Sequence, residues 1–224
     1  MHYELEKPIW TDSDFDDMGW HDATIYKIRV AEDLELDIDY IFKWNQPEVE
    51  GMPFTFWVAP ATLVFKNIRH LKFEVDILEG YTLEIEDIER QAGEEGTVWA
   101  IITTRGDFEF MCDGYEQFIR QPPSFQFGQS ISYIERSGVS LERITNLENP
   151  NILEERWVKQ HKEDLEHYEN AKKRQLKRNE KELLEKSRDE GSIDTKQYLL
   201  KKKELKDSLE YFDYWLKGTR FEKY

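Results

Sequence analysis

Apolar and polar residues alternate along the first two thirds of this chain. In residues 22–30 (DATIYKIRV), Ala23, Ile25, Ile28 and Val30 interleave with Thr24, Tyr26, Lys27 and Arg29, and one slip in the pattern predicts a β-bulge. Residues 34–42 (LELDIDYIF) alternate more strictly, with Leu34, Leu36, Ile38 and Tyr40 on one face and Glu35, Asp37 and Asp39 on the other. The three residues between these runs are short enough for a hairpin turn. Asn45, Pro47, Gly51 and Pro53 mark residues 44–53 as a loop. Residues 54–58 and 61–65 are apolar and split by Pro60, which suits an edge, a bulge or a strand boundary. Residues 71–77 and 81–88 alternate again and join across Glu79 and Gly80. Residues 97–104 and 108–112 predict a further hairpin around Arg105, Gly106 and Asp107. Residues 114–120 read as a short strand or a helical turn, and Pro122, Pro123 and Gly128 mark a loop.

The period changes near Pro150. Residues 151–224 hold no proline and read as two helices. Asn151 is placed to cap the first, with Glu154 three residues on, and Gly191 is placed to stop it near Arg188. Its apolar positions are Leu153, Trp157, Leu165, Tyr168, Leu176 and Leu183. Asp194, with Gln197, starts the second helix, which runs to about Lys217 and places Tyr198, Leu205, Leu209, Phe212 and Leu216 on one face. At least seven short strands followed by two helices give an α+β class. A β-rich antiparallel domain, sandwich or curved sheet, spans 1–148, and an antiparallel helical hairpin spans 149–224.

Charge separates the two parts. Residues 1–150 carry 12 Lys and Arg against 30 Asp and Glu, a balance of −18, while the remainder carries 19 against 17, a balance of +2. An acidic body repels phosphate backbones and steers basic partners, which argues against nucleic acid and for a basic protein partner. The plainer use of such charge is to keep a β-rich protein soluble and apart. The single cysteine, Cys112, leaves no intrachain disulfide to form. The start of the chain lacks a signal-peptide pattern, and no apolar run nears the ~20 residues needed to span a bilayer, so a cytoplasmic location is expected.

No group of residues spells a catalytic constellation. Asp12, Asp14, Asp16 and Asp17 begin like a calcium loop, but Asp17 stands where the turn glycine belongs and Ala23 where the bidentate glutamate belongs, so the run reads as an acidic lead-in with a capping role. His21 beside Asp22 resembles an oriented base, yet His2, His70, His161 and His167 show no ligand spacing; strand-entry hydrogen bonding, with Trp20 in the core, is the expected role. Cys112 sits among acids, which disfavour a thiolate, and is expected to be structural. Asp37 and Asp39, or Glu84 and Glu86, have the spacing of an acid–base pair, but period-2 carboxylates are also the wet face of any antiparallel strand, the reading adopted here. A nuclease set of Asp76, Glu84 and Glu86 lacks the lysine that should follow. The basic clusters at 172–174, 177–178 and 201–203 are broken by Glu180, Glu182, Glu204 and Asp207, as on a solvated helix. No cofactor and no metal is expected.

The run Trp20-His21-Asp22-Ala23-Thr24-Ile25, then 36–44 (LDIDYIFKW), then 56–65 (FWVAPATLVF), resembles small uncharacterised bacterial proteins and, more distantly, immunity proteins of polymorphic-toxin systems, which open with a His-Asp step into a β-sheet domain. The resemblance covers residues 20–78 and supplies no catalytic residue; the helical tail departs from those compact proteins. It implies a non-enzymatic, partner-binding module. The expected contact set is Asp37, Asp39, Trp44, Phe54, Phe56 and Trp57, acids to steer a basic protein and aromatics to anchor it. The alternative is an assembly protein that forms a homo-oligomer through residues 151–224, and a third reading is a metal-dependent hydrolase.

Overall fold

Every strand pairing among the described residues is antiparallel. The computed structural model describes residues 3–76, 82–93, 96–147 and 155–224, without the side chains of 155–157. In chain order these form β1 (Ile9–Thr11), a 3-10 turn (Asp12–Asp17), β2 (Ala23–Val30), β3 (Leu34–Asn45), β4 (Thr55–Phe65), β5 (Arg69–Val75), β6 (Leu83–Gly93), β7 (Gly96–Thr103), β8 (Gly106–Met111), β9 (Tyr115–Ile119), β10 (Ser124–Gln126), α1 (Glu155–Asp189) and α2 (Thr195–Leu216). The class is α+β: a ten-stranded antiparallel sheet, then two long helices packed together. The chain divides into two compact units, Met1–Asn45 with Thr55–Asn151, and Gln46–Phe54 with Ile152–Tyr224.

In the first unit the strand order is β1-β9-β4-β3-β2-β6-β7-β8-β5, with β10 also paired to β4. β4 and β5 are six strand steps apart in that order, about 29 Å across a flat sheet. Yet only residues 66–68 join Phe65 to Arg69, a reach of about 14 Å. The sheet is therefore rolled on itself. The Phe65 ring in β4 lies 5.4 Å from Trp99 in β7 and 4.9 Å from Phe110 in β8. The roll turns at a narrow seam, where Ala23–Ile25 of β2 pair with 83–85 of β6 and no further. Leu34, Leu36 and Ile38 from one half and Ile85, Ile101 and Phe108 from the other are fully buried between them. Phe15, from the 3-10 turn, packs on Trp20, Trp99 and Tyr115. Asp14 supports that turn by accepting from the Thr11 N–H at 2.8 Å, the capping role expected of the acidic lead-in.

The slip in β2 is a register shift that skips Tyr26 between Ile25 and Lys27. Pro60 does not end a strand: it lies inside β4, opposite Asp39 of β3. Its carbonyl accepts from the Arg120 N–H, so its nitrogen faces the same side, where the neighbour changes from β9 to β10 and no ladder bond is required. β5 and β6, consecutive in the chain, do not pair with each other; the join expected at Glu79 and Gly80 lies outside the described residues.

In the second unit, α1 ends as its glycine dictates. Gly191 adopts φ 68°, and the Gly191 and Ser192 N–H groups return to the carbonyls of Arg188 and Ser187, a Schellman stop. Asp194 caps α2 by accepting from the N–H groups of Lys196 and Gln197. Tyr198, Leu205 and Leu216 of α2 are buried and Leu209 and Phe212 half-buried, the stripe its spacing predicts. α1 differs from expectation: Leu165 and Tyr168 are half-buried, Leu176 and Leu183 are exposed, and Ala171, Arg174 and Leu184 are buried instead. Arg174 is enclosed because its guanidinium donates to Asp213 and to the main-chain oxygens of Phe221, Glu222 and Tyr224. The 46–54 loop belongs to this unit: Val49 and Met52 are buried, and Lys172 pairs with Glu48. The cap at Asn151 and Glu154 and the position Leu153 lie outside the described residues, as does the side chain of Trp157.

Candidate functional site

The two acids expected on the wet face of β3 are enclosed. Asp37 and Asp39 are both 0% exposed, because residues 120–143 return over that face of the sheet and bring arginines with them. Arg136 donates to both oxygens of Asp37, at 2.6 and 3.0 Å, and its Nε reaches Asp39 at 3.2 Å. Arg120 donates to Asp37 at 2.5 Å. Asp39 also accepts from the Ile131 N–H and from the Tyr26 hydroxyl, both at 2.8 Å. Burial pushes the Asp39 carboxyl up, against the pull of Arg136 and these donors. Burial likewise holds the Tyr26 hydroxyl well above its ordinary range, with the Asp39 charge adding to it. Further along β3, hydrogen bonding from Arg29, seconded by Arg143, keeps Glu35 below the usual carboxylate range. Strand alternation predicts which face these acids occupy; it carries no sign that a segment about 100 residues later will cover it. The available sign was the run of arginines at 120, 136 and 143 in an irregular stretch of a lysine-poor body.

Asp37 and Asp39 are therefore structural and lie out of reach of a partner. Of the four aromatics expected beside them, Phe56 is also buried, packed with Ile41, Val58 and Ile131. Trp57 is half-buried between Tyr3 and Phe125. Trp44 and Phe54 are exposed at 40% and 42%, and Trp44 lies between His21 and Phe56. The structure does not bring the six residues into one surface. His21 donates from Nδ1 to the Glu86 carbonyl at 2.9 Å where the chain enters β2, and Trp20 is buried. Cys112 is buried; burial, with the charges of Asp12 and Asp113, raises its thiol to about 11. No group of three or more His, Cys, Asp or Glu side chains among the described residues is arranged to hold a metal ion.

One surface of the first unit does combine acid and aromatic groups. The segment before β1 folds beside the far end of β3 and leaves a cleft of about 360 Å³. Trp10, Tyr40, Phe42 and Tyr3 wall it; Glu6 and Asp17 stand exposed in its lining, without an ion-pair partner among the described residues. Its walls are braced. The Tyr40 ring meets Phe42 edge-on at 4.8 Å, Tyr3 lies 5.4 Å from Phe42, and the Tyr40 hydroxyl accepts from the Gly19 N–H. Burial raises that hydroxyl to about 12, so it remains a neutral hydrogen-bonding group at any ordinary pH. The indole N–H of Trp10 and the side-chain NH2 of its cross-strand neighbour Gln117 are inaccessible, so Trp10 presents ring carbon to the cleft. Aromatic ring faces with nearby carboxylates attract a cation. Lys7, 4.7 Å over the Trp10 ring, shows that contact within the chain. The sequence marks Tyr3, Trp10 and Tyr40 only as aromatic; their convergence depends on the pairing of β1 with β9.

Half of the basic residues in the helical clusters are spent internally. Arg174 is buried, and Lys172, Lys177 and Lys202 pair with Glu48, Glu180 and Glu185. No helix among the described residues is long and apolar enough to cross a membrane. Comparison of the chain with protein-family models, with curated proteins and with solved structures gives no match in any of the three.

Proposed function

We propose that the chain is a non-catalytic protein-binding module of the immunity or antitoxin type, whose acidic sheet unit engages a basic surface of a partner protein. The observation that carries this reading is where the unit's few cations go. Of the twelve Lys and Arg among residues 1–150, at least nine are held in ion pairs with other described residues of the unit: Lys7, Arg29, Lys66, Arg69, Lys72, Arg90, Arg120, Arg136 and Arg143. Four of them, Arg29, Arg120, Arg136 and Arg143, serve acids of the covered face of β3. The negative excess is left to surface carboxylates, Glu6 and Asp17 among them, where it steers a cationic partner. The aromatic cleft beside these two acids is of a size to take a lysine or arginine side chain.

The test is the association rate of a basic partner with the intact chain, followed from about 0.05 to 0.5 M salt. The rate falls steeply with salt if the reading holds, and Glu6→Gln with Asp17→Asn slows it at low salt. A salt-independent rate, or one that the double variant leaves unchanged, removes the reading.

A further inference from the structure

One edge of the rolled sheet is a strand with a single neighbour. β5 pairs with β8 on one side, and no strand lies along its other side among the described residues. Its side chains are open: Phe73 is 50% exposed, and only Leu71 and Val75 are half-buried. The main-chain groups that face the free side follow from one hydrogen bond. The Asp76 N–H donates to the Arg105 carbonyl, so Asp76 is turned toward the β8 side. Alternation then turns Glu74 and Lys72 toward β8 as well, and turns the N–H and C=O groups of Leu71, Phe73 and Val75 outward. The start of β5 is guarded, because the register shifts between Arg69 and Lys72 and His70 adopts φ 55°. The free edge is therefore residues 71–75, Leu-Lys-Phe-Glu-Val.

This edge is complementary to itself. A second β5 laid antiparallel about a two-fold axis at Phe73 sets Phe73 against Phe73, Leu71 against Val75 and Lys72 against Glu74. The same axis makes residue 73 with 73, and 71 with 75, the hydrogen-bonded pairs, and these are the residues whose main-chain groups point outward. A slip of one residue would set outward groups against inward ones and Phe73 against Glu74. Within one copy the Phe73 ring lies 4.5 Å from Phe108 on one side only, and the other copy's Phe73 covers the exposed side. Charge agrees with this register. Glu74 stands opposite Asp107 of β8, two like charges without an ion-pair partner among the described residues. Lys72 pairs with Glu109 of its own copy, yet its side chain is 76% exposed. In the joined sheet it stands between that Glu109 and the other copy's Glu74, which gives the row of two acids the cation it lacks. We propose that β5 pairs with β5 of a second copy of this chain, joining two sheets edge to edge across a two-fold axis. The pairing is independent of the binding of a basic partner.

Sedimentation velocity of the intact chain tests the proposal, from low to high micromolar concentration. Salt is held at about 0.15 M, where charges more than about 8 Å apart are largely screened and contact pairs are not. The expected result is a reversible dimer. Phe73→Pro removes the ring and an outward N–H but no donor of the β8 ladder, so it gives a monomer with unchanged tryptophan fluorescence. Glu74→Lys relieves the like charge beside Asp107 within one copy but meets the other copy's Lys72, so it weakens the dimer several-fold. Adding Lys72→Glu restores it. A wild-type chain that stays monomeric throughout overturns the proposal. A dimer that survives Phe73→Pro, or is indifferent to Glu74→Lys, is built elsewhere and overturns it equally.

Discussion

Arg136 and Asp37, ninety-nine residues apart in the chain, face each other as a two-pronged ion pair from which solvent is wholly excluded. The fork uses both Nη atoms of the guanidinium and both oxygens of the carboxylate, the geometry that suits arginine and that lysine cannot reproduce. Arg120 shares the same carboxylate. One aspartate thus binds two buried cations, with Asp39 as the second acid beside Arg136.

Removing that aspartate leaves both arginines enclosed without their principal counter-charge. Asp37→Ala is expected to lower the unfolding free energy by about 3–5 kcal/mol, measured by urea denaturation. Arg120→Met, which leaves the Arg136 fork intact, costs less. Equal losses from the two would mean that the fork is not the principal contact.

Acid should loosen the same region in a defined order. Glu35 and Asp33 are held below the usual carboxylate range, Glu35 first by Arg29 and Asp33 first by the Asn67 N–H, each with help from Arg143. A lowered folded pKa contributes stability that is complete above the unfolded value near pH 4 and is lost as pH falls through the folded one. Asp39, raised by burial, acts in the opposite sense, at pH above that window. Stability should therefore hold from about pH 7 to 5 and fall below about pH 4, and Arg143→Gln should move the acid midpoint upward. Acid unfolding followed by tryptophan fluorescence measures the shift.

Gly106 begins β8 after the two-residue turn of Thr104 and Arg105, at φ 127°. A Cβ there would lie 2.0 Å from the main-chain oxygen of Glu74 in β5. Gly106→Ala therefore has to part β5 from β8, at an expected cost of about 2–4 kcal/mol. Gly218→Ala, where a Cβ meets nothing within 4 Å, carries only the strain of its positive φ and should cost less. Paired thermal melts compare the two.

With its thiol raised to about 11, Cys112 holds roughly one thiolate in a thousand at pH 8. A disulfide-exchange reagent should label the native protein very slowly and the urea-unfolded protein at once, one thiol per chain. Prompt labelling of the native protein would show that this strand end opens readily.

Local pattern made much of this fold legible. The strict alternation of Leu34, Leu36, Ile38 and Tyr40 marks the buried face of β3, and the slip after Ile25 marks the bulge of β2, because side-chain period follows directly from backbone geometry. Gly191 and Asp194 mark the helix turn for the same reason. What alternation does not encode is what lies on the far face. Asp37 and Asp39 read as wet because nothing beside them in sequence shows that Arg120 and Arg136 will cover them. β1, three residues long, is too short to show any period, so the place of Trp10 in the cleft wall was hidden with it.

The assignment of the 46–54 loop to the helical unit has a consequence for how this protein can be taken apart. The backbone passes between the two units three times, after residues 45, 54 and 151, so no single cut separates them. A chain ended at 151 would expose Val49 and Met52 to water at the tip of the β3–β4 connection, two new apolar side chains on an otherwise acidic body. Such a truncation tests the stickiness of that tip as much as the loss of the helices. A clean excision has to replace residues 46–54 with a short polar turn at the same time.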